Sequence, residues 1–160
     1  MISILLDTFK NTVKFIEQSV ADLSEDQMVQ QPTGVPNHAT WIIGHIIYSC
    51  QGITDELGVQ QWLPNDWESI FGYGSMPVSD LSHYPLKSTL LRSLSDATDH
   101  LQQTLSSISE STLKQSFPDE NFPTIEHFLF QVMIAHTAFH AGQLAVWRHA
   151  IGKQSMAVFI

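Results

Sequence analysis

The chain has 160 residues and a formal net charge of −9, with seven Lys and Arg in the whole sequence. This acidic balance repels a phosphate backbone and supplies no basic stripe, which speaks against nucleic acid as a ligand. The length suits a single domain spanning residues 1–160, with a hydrophobic core of its own.

No apolar run approaches the roughly 18 residues that a membrane-spanning helix needs. The first residues, MISILLDTFKNTVKF, contain an acid and lysines and lack a small-residue cleavage site, unlike a signal peptide. We therefore expect a cytoplasmic protein with no membrane partner. The single cysteine, Cys50, excludes an internal disulfide and a thiolate-cluster metal site, so a bound metal would need His, Asp or Glu ligands.

The first third of the chain predicts two long helices. Apolar residues that repeat every three or four positions indicate an amphipathic helix to about Ala21. Ser24 and Gln27 have capping-box spacing, so a short turn of helix is expected next. Asn37 is the expected N-cap of the second helix, which should end near Gly58 as its C′ residue.

Residues 59–84 lose the helical pattern and are rich in Pro, Gly, Asn and Asp. Loops of this length are often functional. Its aromatic residues predict a loop that packs down, as a lid over a pocket; these are Trp62, Trp67, Phe71 and Tyr73. The length of the loop also allows the second and third helices to run parallel.

A third helix is expected from position 85 or 86 to about Ile108, with a short helical turn over 109–115. One long fourth helix is expected from Thr124, its N-cap, to Gly152. No strand alternation of useful length is present. The fold class predicted is all-α, a four-helix bundle with a long connection between helices two and three and helix directions up-down-down-up.

The fourth helix carries His136 and His140, whose spacing places them one above the other on one face. Gln143 and Trp147 continue this stripe. The rest of the face is apolar and is expected to point into the core; it comprises Ile125, Phe128, Leu129, Val132, Met133 and Phe139. Buried imidazoles need partners, and a metal ion, a backbone carbonyl or a carboxylate would each serve.

A third histidine, His45, lies among isoleucines on the second helix, in a stripe with Trp41, Tyr48 and Gly52. Three neutral imidazoles that converge inside a bundle would be costly without a cation to accept their lone pairs. The residue after His136 is not Glu, which excludes the HExxH zinc motif. No inward Glu-x-x-His pair is present, so the carboxylate di-iron pattern is excluded as well.

Several other residues are candidates for the site or for packing. Trp41 and Tyr48 are candidates for a pocket wall, with core packing as the alternative. Gln143 would bind a ligand, hold the second nitrogen of a histidine, or pack against a neighbouring helix. His38 is expected at a wet helix N-terminus rather than at the mouth of a pocket. Cys50 is expected to be a small packed residue.

Arg148 is expected to cover apolar surface with its stem while its charge reaches solvent or a helix end. The remaining histidines fit no converging stripe and are expected at the surface; they are His83, His100, His127 and His149.

The segments NHATWIIGHIIYS and HTAFHAGQLAVWRHAIG resemble the DinB/YfiT-like four-helix metalloprotein superfamily, and the resemblance covers nearly the whole chain. The family pattern is a His on helix two, with HxxxH and a following Gly-Gln on helix four. The matching residues here are His45, His136, His140, Gly142 and Gln143. The resemblance implies a divalent metal bound by the three histidines, zinc or nickel with iron or manganese as alternatives, and open positions for water or ligand.

Members of that family include enzymes that use low-molecular-weight thiols. They are S-transferases or a thiol-dependent isomerase, and other members have no assigned activity. From the resemblance we expect a thiol-dependent S-transferase acting on small electrophilic molecules, with a low-molecular-weight thiol as a second cofactor, and a homodimer. A hydrolase that uses metal-bound water and a non-enzymatic metal-binding or interaction module are the alternatives. The hydrolase needs a base near the site, for which Asp66, Glu68 and Glu120 are the loop acids to nominate. No catalytic residue is assigned from the sequence.

Overall fold

Helices make up the regular structure of the chain in a computed structural model that describes residues 1–154. In order they are α1 (Ile2–Val20), α2 (Glu25–Met28), α3 (Ala39–Glu56), α4 (Trp67–Phe71), a 3-10 turn (Leu81–His83), α5 (Lys87–Ser106), α6 (Glu110–Leu113), α7 (Ile125–Phe130), a π-helical turn (Gln131–His136) and α8 (Thr137–Ala150). The last six positions of the predicted domain, 155–160, lie outside the described residues. No strand occurs within the described range, and the predicted all-α class is confirmed.

Contacts at the helix ends give the direction of each helix. The side chain of Arg148, near the end of α8, donates to the carbonyl of Ser19, near the end of α1, so these two helices run parallel. Lys87, the first residue of α5, donates to the carbonyl of Ala21 just beyond α1. Helix α5 therefore runs antiparallel to α1.

Helix α3 packs between α5 and α8. Asn37, just before α3, pairs with Gln143 in α8, whereas His45 further along α3 meets His136 before α8. This reversed order makes α3 antiparallel to α8 and therefore parallel to α5. The predicted up-down-down-up arrangement is confirmed, and the long connection between α3 and α5 makes it sterically feasible.

The capping box at Ser24 and Gln27 and the C′ position of Gly58, with φ of +79°, are as predicted. The predicted N-cap of α3 is wrong by one residue. His38 caps the helix, since its Nδ1 accepts the backbone N–H of Trp41 at 3.2 Å. The side chain of Asn37 is engaged instead with Gln143 on α8.

The predicted single fourth helix is continuous but contains the π-helical turn. A π turn holds one more residue than an α turn, so every residue after it is rotated about the helix axis. The hydroxyl of Thr137 donates to the carbonyl of Val132 at 3.1 Å across this wider turn. The rotation explains why Phe139, predicted to face the core, is 61% exposed while Leu129 and Met133 before it are buried.

The connection between α3 and α5 packs onto the bundle through α4. Trp67 and Phe71 of α4 are buried, as predicted for this loop, and Trp62 is partly buried against the core. Tyr73, predicted to pack with them, is fully exposed at 100%. Backbone geometry explains the difference, because Tyr73 lies in a tight turn that the Ser75 N–H closes on the Gly72 carbonyl and in which Gly74 has a φ of +84°.

Arg148 is buried, and its guanidinium pairs with Asp22 at 2.6 Å and with a carbonyl at the end of α1. Of the two predicted positions for its charge, solvent and a helix end, the structure shows the helix end. His83, His127 and His149 are exposed as predicted. His100 is partly exposed, and its ring stacks on Trp62 with ring centroids 4.5 Å apart.

No helix within residues 1–154 combines the length and apolar character needed to cross a membrane.

Candidate metal centre

The three histidines that the sequence singled out meet inside the bundle. His45 comes from α3, His136 is the last residue of the π turn, and His140 lies one turn further along in α8. Their ligand atoms all lie within 4.8 Å of one another. The Nε2 atom of His136 is 3.1 Å from the Nε2 atom of His45 and 3.1 Å from that of His140. The ring nitrogens therefore converge on one point.

The outer nitrogens of two rings fix their tautomers. Nδ1 of His45 lies 2.6 Å from the backbone carbonyl oxygen of Phe71, and Nδ1 of His140 lies 2.8 Å from Oε1 of Gln143. A carbonyl oxygen only accepts, so each Nδ1 carries the hydrogen and donates. In the neutral rings the two Nε2 atoms therefore present lone pairs to the centre of the cluster.

Nδ1 of His136 is buried and has no hydrogen-bond partner among residues 1–154. If Nδ1 carries the hydrogen, all three Nε2 lone pairs face one another; if Nε2 carries it, Nδ1 is an unpaired acceptor. A cation at the centre would accept the three lone pairs. Tetrahedral ligands at the usual zinc–nitrogen distance lie about 3.3 Å apart, close to the two separations of 3.1 Å that His136 makes. The donor set thus fits a divalent metal ion.

The environment keeps the rings neutral. Burial lowers the pKa of His136 to about 4, and the neighbouring His45 adds to the effect. Burial also lowers the pKa of His140 to about 4, helped by the other two imidazoles. The pKa of His45 is lowered by burial as well, against the opposing hydrogen bond to Phe71. Neutral imidazole is the form that binds metal, so all three rings are available near neutral pH.

Sequence reasoning missed the carbonyl of Phe71, because a backbone group has no residue signature. The available signal was Gly44, which precedes His45. A Cβ at this position would overlap the ring of Phe71, so glycine lets α4 approach α3 closely enough for the carbonyl to reach His45. Trp41 completes this side of the cluster, stacking on His45 with ring centroids 4.7 Å apart.

Gln143 takes the second of its three predicted roles, since its Oε1 accepts from His140. The same oxygen accepts from Nδ2 of Asn37 at 3.2 Å, which orients the amide. His38, expected at a wet position, is instead 0% exposed because residues of the long loop cover it, and its Nε2 lies 3.1 Å from the carbonyl of Val78. Burial lowers the pKa of His38 to about 4.

A cleft of about 460 Å³ reaches the cluster at His45 and His136. Tyr48, a predicted pocket residue, lines this cleft, whereas Trp41 and Gln143 do not. The lining acid is Glu56, whose side chain is exposed.

Two sets of sequence candidates are absent from the lining of the cleft. The first is the three loop acids nominated as a hydrolytic base, Asp66, Glu68 and Glu120, of which Glu68 lies close enough to Tyr48 to help raise the pKa of its phenol. Cys50 is buried as predicted, and burial raises the pKa of its thiol to about 12, so it supplies no nucleophile.

Helical bundles build metal sites from side chains that project inward from facing helices. The three converging imidazoles therefore define this chain as a helical-bundle protein with a candidate metal centre in its core. The chain belongs to the DinB superfamily, whose sequence profile matches residues 9–144. A crystal structure described as the conserved protein of locus from Enterococcus faecalis has a TM-score of 0.71, covering 94% of this chain and 97% of that chain at 16% identity. That likeness shows a common fold. The sequence matches no curated protein.

Proposed function

We propose that His45, His136 and His140 bind one divalent metal ion and that the protein is a thiol-dependent S-transferase acting on small electrophilic molecules. The observation that carries the proposal is the convergence of three neutral imidazoles, two of which, His45 and His136, line a cleft. Zinc or nickel suits an all-nitrogen donor set, with iron or manganese as alternatives. A bound divalent ion supplies positive charge that stabilises an anionic ligand atom at its open position.

The protein groups around the cluster orient the ligands. The Phe71 carbonyl holds His45, and the Gln143 amide holds His140, each through the nitrogen that faces away from the centre. Such outer partners fix the tautomer and the ring plane of a metal ligand. His136 lines the cleft and is more exposed than His45 and His140, so it is the ligand most open to an incoming molecule.

The cleft favours a small-molecule thiol over water as the nucleophile. A thiol has an ordinary pKa near 8.5 and ionises beside a positive charge without a protein base. Metal-bound water would ionise beside the same charge, but hydrolysis also needs a proton for its leaving group, for which the cleft lining offers the exposed carboxylate of Glu56 and the phenol of Tyr48. Since Cys50 is buried and protonated, the thiol must come from a separate molecule.

The test uses protein purified without a histidine tag and loaded with zinc or nickel. Cysteine or glutathione is added with 1-chloro-2,4-dinitrobenzene, and the thioether product is followed by absorbance. We expect metal-dependent product formation by the wild-type protein and by His149→Ala, and its loss in His45→Ala. Absence of metal and of thiol binding would sink the proposal, as would equal turnover by His45→Ala.

The same variants separate the alternatives. Ester hydrolysis that needs His45 but no thiol would identify a hydrolase. Ligand or partner binding that survives replacement of both His136 and His140 by alanine would identify a non-enzymatic module. Cytoplasmic location and a single domain over residues 1–160 stay predictions.

We also propose the homodimer that the family resemblance implies. It is supported by two apolar side chains on α8, Phe139 and Val146, which are 61% and 62% exposed. Exposed apolar side chains close together on one helix are typical of an interface. Light scattering on the wild type and on Phe139→Asp tests it: a dimer that becomes a monomer supports the interface, and a wild-type monomer contradicts it.

A further inference from the structure

The walls of the cleft that ends at His45 and His136 are largely aromatic. Tyr48 comes from α3, and Phe122 and Phe128 come from the opposite side, before and within α7. A volume of about 460 Å³ holds one ring of a small molecule with the group that joins it to the metal. Aromatic walls favour a ring that packs in stacked or edge-to-face contact.

The far wall is fixed in place by its own packing. Phe128 stacks on Phe117 with ring centroids 4.3 Å apart, and Phe122 packs edge-on against Phe128 at 5.8 Å. A wall that is already ordered loses little side-chain entropy when a ligand binds. The cleft is therefore preorganised for a flat apolar group.

The negative charge around the cleft limits which substituents a bound ring can carry. Glu56 lines the cleft, and the whole chain has a net charge of −9. The pKa of the Tyr48 phenol is raised by burial and also by the nearby carboxylates of Glu68 and Asp55. An anionic substituent on the ring would be repelled by this field, whereas an anionic group at the histidine end would meet the metal.

Gly52 opens the middle of the cleft. It lies in α3, on the stripe that contains His45 and Tyr48, and a Cβ added there would meet no atom within 4 Å. Glycine inside a helix is destabilising by roughly 0.5–1 kcal/mol relative to alanine, so the fold itself gains nothing from it. A larger side chain at this position would occupy the cleft without disturbing the core.

Tyr73 stands at the outer edge of the same cleft. Its side chain is fully exposed, and it lies between Gly72 and Gly74 in a tight turn. An exposed aromatic ring held beside an aromatic cleft is positioned to cover a flat ligand from the solvent side.

We propose that this cleft binds an uncharged aromatic ring belonging to the molecule whose anionic group binds the metal, with Tyr48, Phe122 and Phe128 as its walls and Tyr73 as its cover. The proposal rests on the metal site proposed above. It assigns the class of ligand: a small aryl compound with a metal-binding anionic end.

The test compares two probes with the same metal-binding group, acetohydroxamate and benzohydroxamate, on zinc-loaded protein by titration calorimetry. The wild type should bind benzohydroxamate at least about tenfold more tightly, the value of one well-packed ring. Gly52→Leu should reduce the preference to about twofold or less and leave acetohydroxamate binding unchanged. Gly52→Ala, the matched control, should keep most of the preference.

Tyr73→Ala is the second variant, and since its side chain is exposed it cannot unfold the core. It should weaken benzohydroxamate binding a few-fold and spare acetohydroxamate. A benzohydroxamate preference that Gly52→Leu and Tyr73→Ala both leave intact would overturn the aromatic cleft. Equal binding of the two probes by zinc-loaded wild-type protein would also overturn the aromatic cleft. In that case the binding of acetohydroxamate would still support the metal site. Failure to bind zinc would overturn both proposals.

Discussion

The three imidazoles of the cluster differ in what their outer nitrogens contact, and this difference determines how firmly each ring is held. His45 donates to the backbone carbonyl of Phe71, which no substitution of the Phe71 side chain deletes. His140 donates to the Gln143 amide, which is itself oriented by Asn37. His136 has no partner among residues 1–154 for its outer nitrogen. Metal affinity should therefore be most sensitive to side-chain changes around His140.

Replacement of Gln143 tests this dependence. Gln143→Ala removes the acceptor for Nδ1 of His140, so zinc affinity should fall about 10- to 100-fold, as for other outer partners of metal ligands. Gln143→Glu keeps an acceptor and should bind zinc at least as tightly as the wild type. Competition with a chromogenic chelator measures both. Equal affinities for the alanine variant and the wild type would show that the amide does not orient the ligand.

His38 makes stability depend on pH. Burial lowers its pKa from 6.5 to about 4, so the folded state binds fewer protons than the unfolded state between these values. The contribution of neutral His38 to the unfolding free energy is complete above about pH 6.5 and is lost as the pH falls toward about 4. His38→Asn keeps an N-cap side chain but does not titrate in this range.

We therefore expect the wild type to lose more unfolding free energy than His38→Asn between about pH 7 and pH 5. Urea denaturation with a chelator present measures both curves, and the shared effect of the other buried histidines cancels in their difference. A gap between the curves that stays constant with pH would contradict the assignment.

Residue-scale prediction from sequence succeeded where periodicity fixes side-chain direction. The stripes that contain His45, His136 and His140 follow the helical repeat, and the structure brings all three together. It failed at His38, because its burial depends on how the loop over 59–84 lies across the start of α3. It also could not identify the Phe71 carbonyl, since every residue carries one.

At the scale of elements, helices α3 and α4 are joined through the site. Gly44 lets the ring of Phe71 lie against α3, and the backbone carbonyl of Phe71 points toward His45. A helix of five residues has little stability of its own, so its position comes from this packing. The approach of α4 therefore sets the orientation of one proposed metal ligand, His45.

Gly44→Ala should lower the unfolding free energy by about 1–3 kcal/mol, because the added methyl group overlaps the fully buried Phe71 ring. It should also weaken zinc binding through the displaced carbonyl. Gly142→Ala is the matched control: it lies in a helix, its Cβ would meet nothing within 4 Å, and it should stabilise by roughly 0.5–1 kcal/mol. Urea unfolding and zinc competition give both values. A neutral Gly44→Ala would show that α4 is free to move.

The element boundaries were predictable where capping residues mark them, as at Ser24 and Gly58. The π turn over Gln131–His136 was not, because its extra residue leaves no signature in a run that is helical throughout. Its effect was to expose Phe139 where an unbroken α-helix would bury it. Widened turns of this kind occur frequently at functional sites, and here the turn ends on a proposed ligand.

On the scale of the whole molecule, the bundle provides a rigid frame that brings two helices to one point. Helices α3 and α8 are antiparallel neighbours, so residues far apart in sequence, such as His45 and His136, meet at the same depth. This arrangement was predictable from the sequence, since four periodic segments and one long connection permit few topologies. The ligand was not predictable, because the shape of the cleft depends on how loops pack, and loop sequences carry no periodic pattern from which their packing follows.

The most direct test of the metal centre is the metal content of untagged protein, measured by inductively coupled plasma mass spectrometry after zinc loading and gel filtration. We predict about one ion per chain in the wild type and in His149→Ala, which removes an exposed histidine from the same helix. His45→Ala, His136→Ala and His140→Ala should each retain little or none while keeping the helical circular dichroism of the wild type. A wild-type protein without metal, or a His136→Ala variant with as much metal as the wild type, would contradict the three-histidine centre.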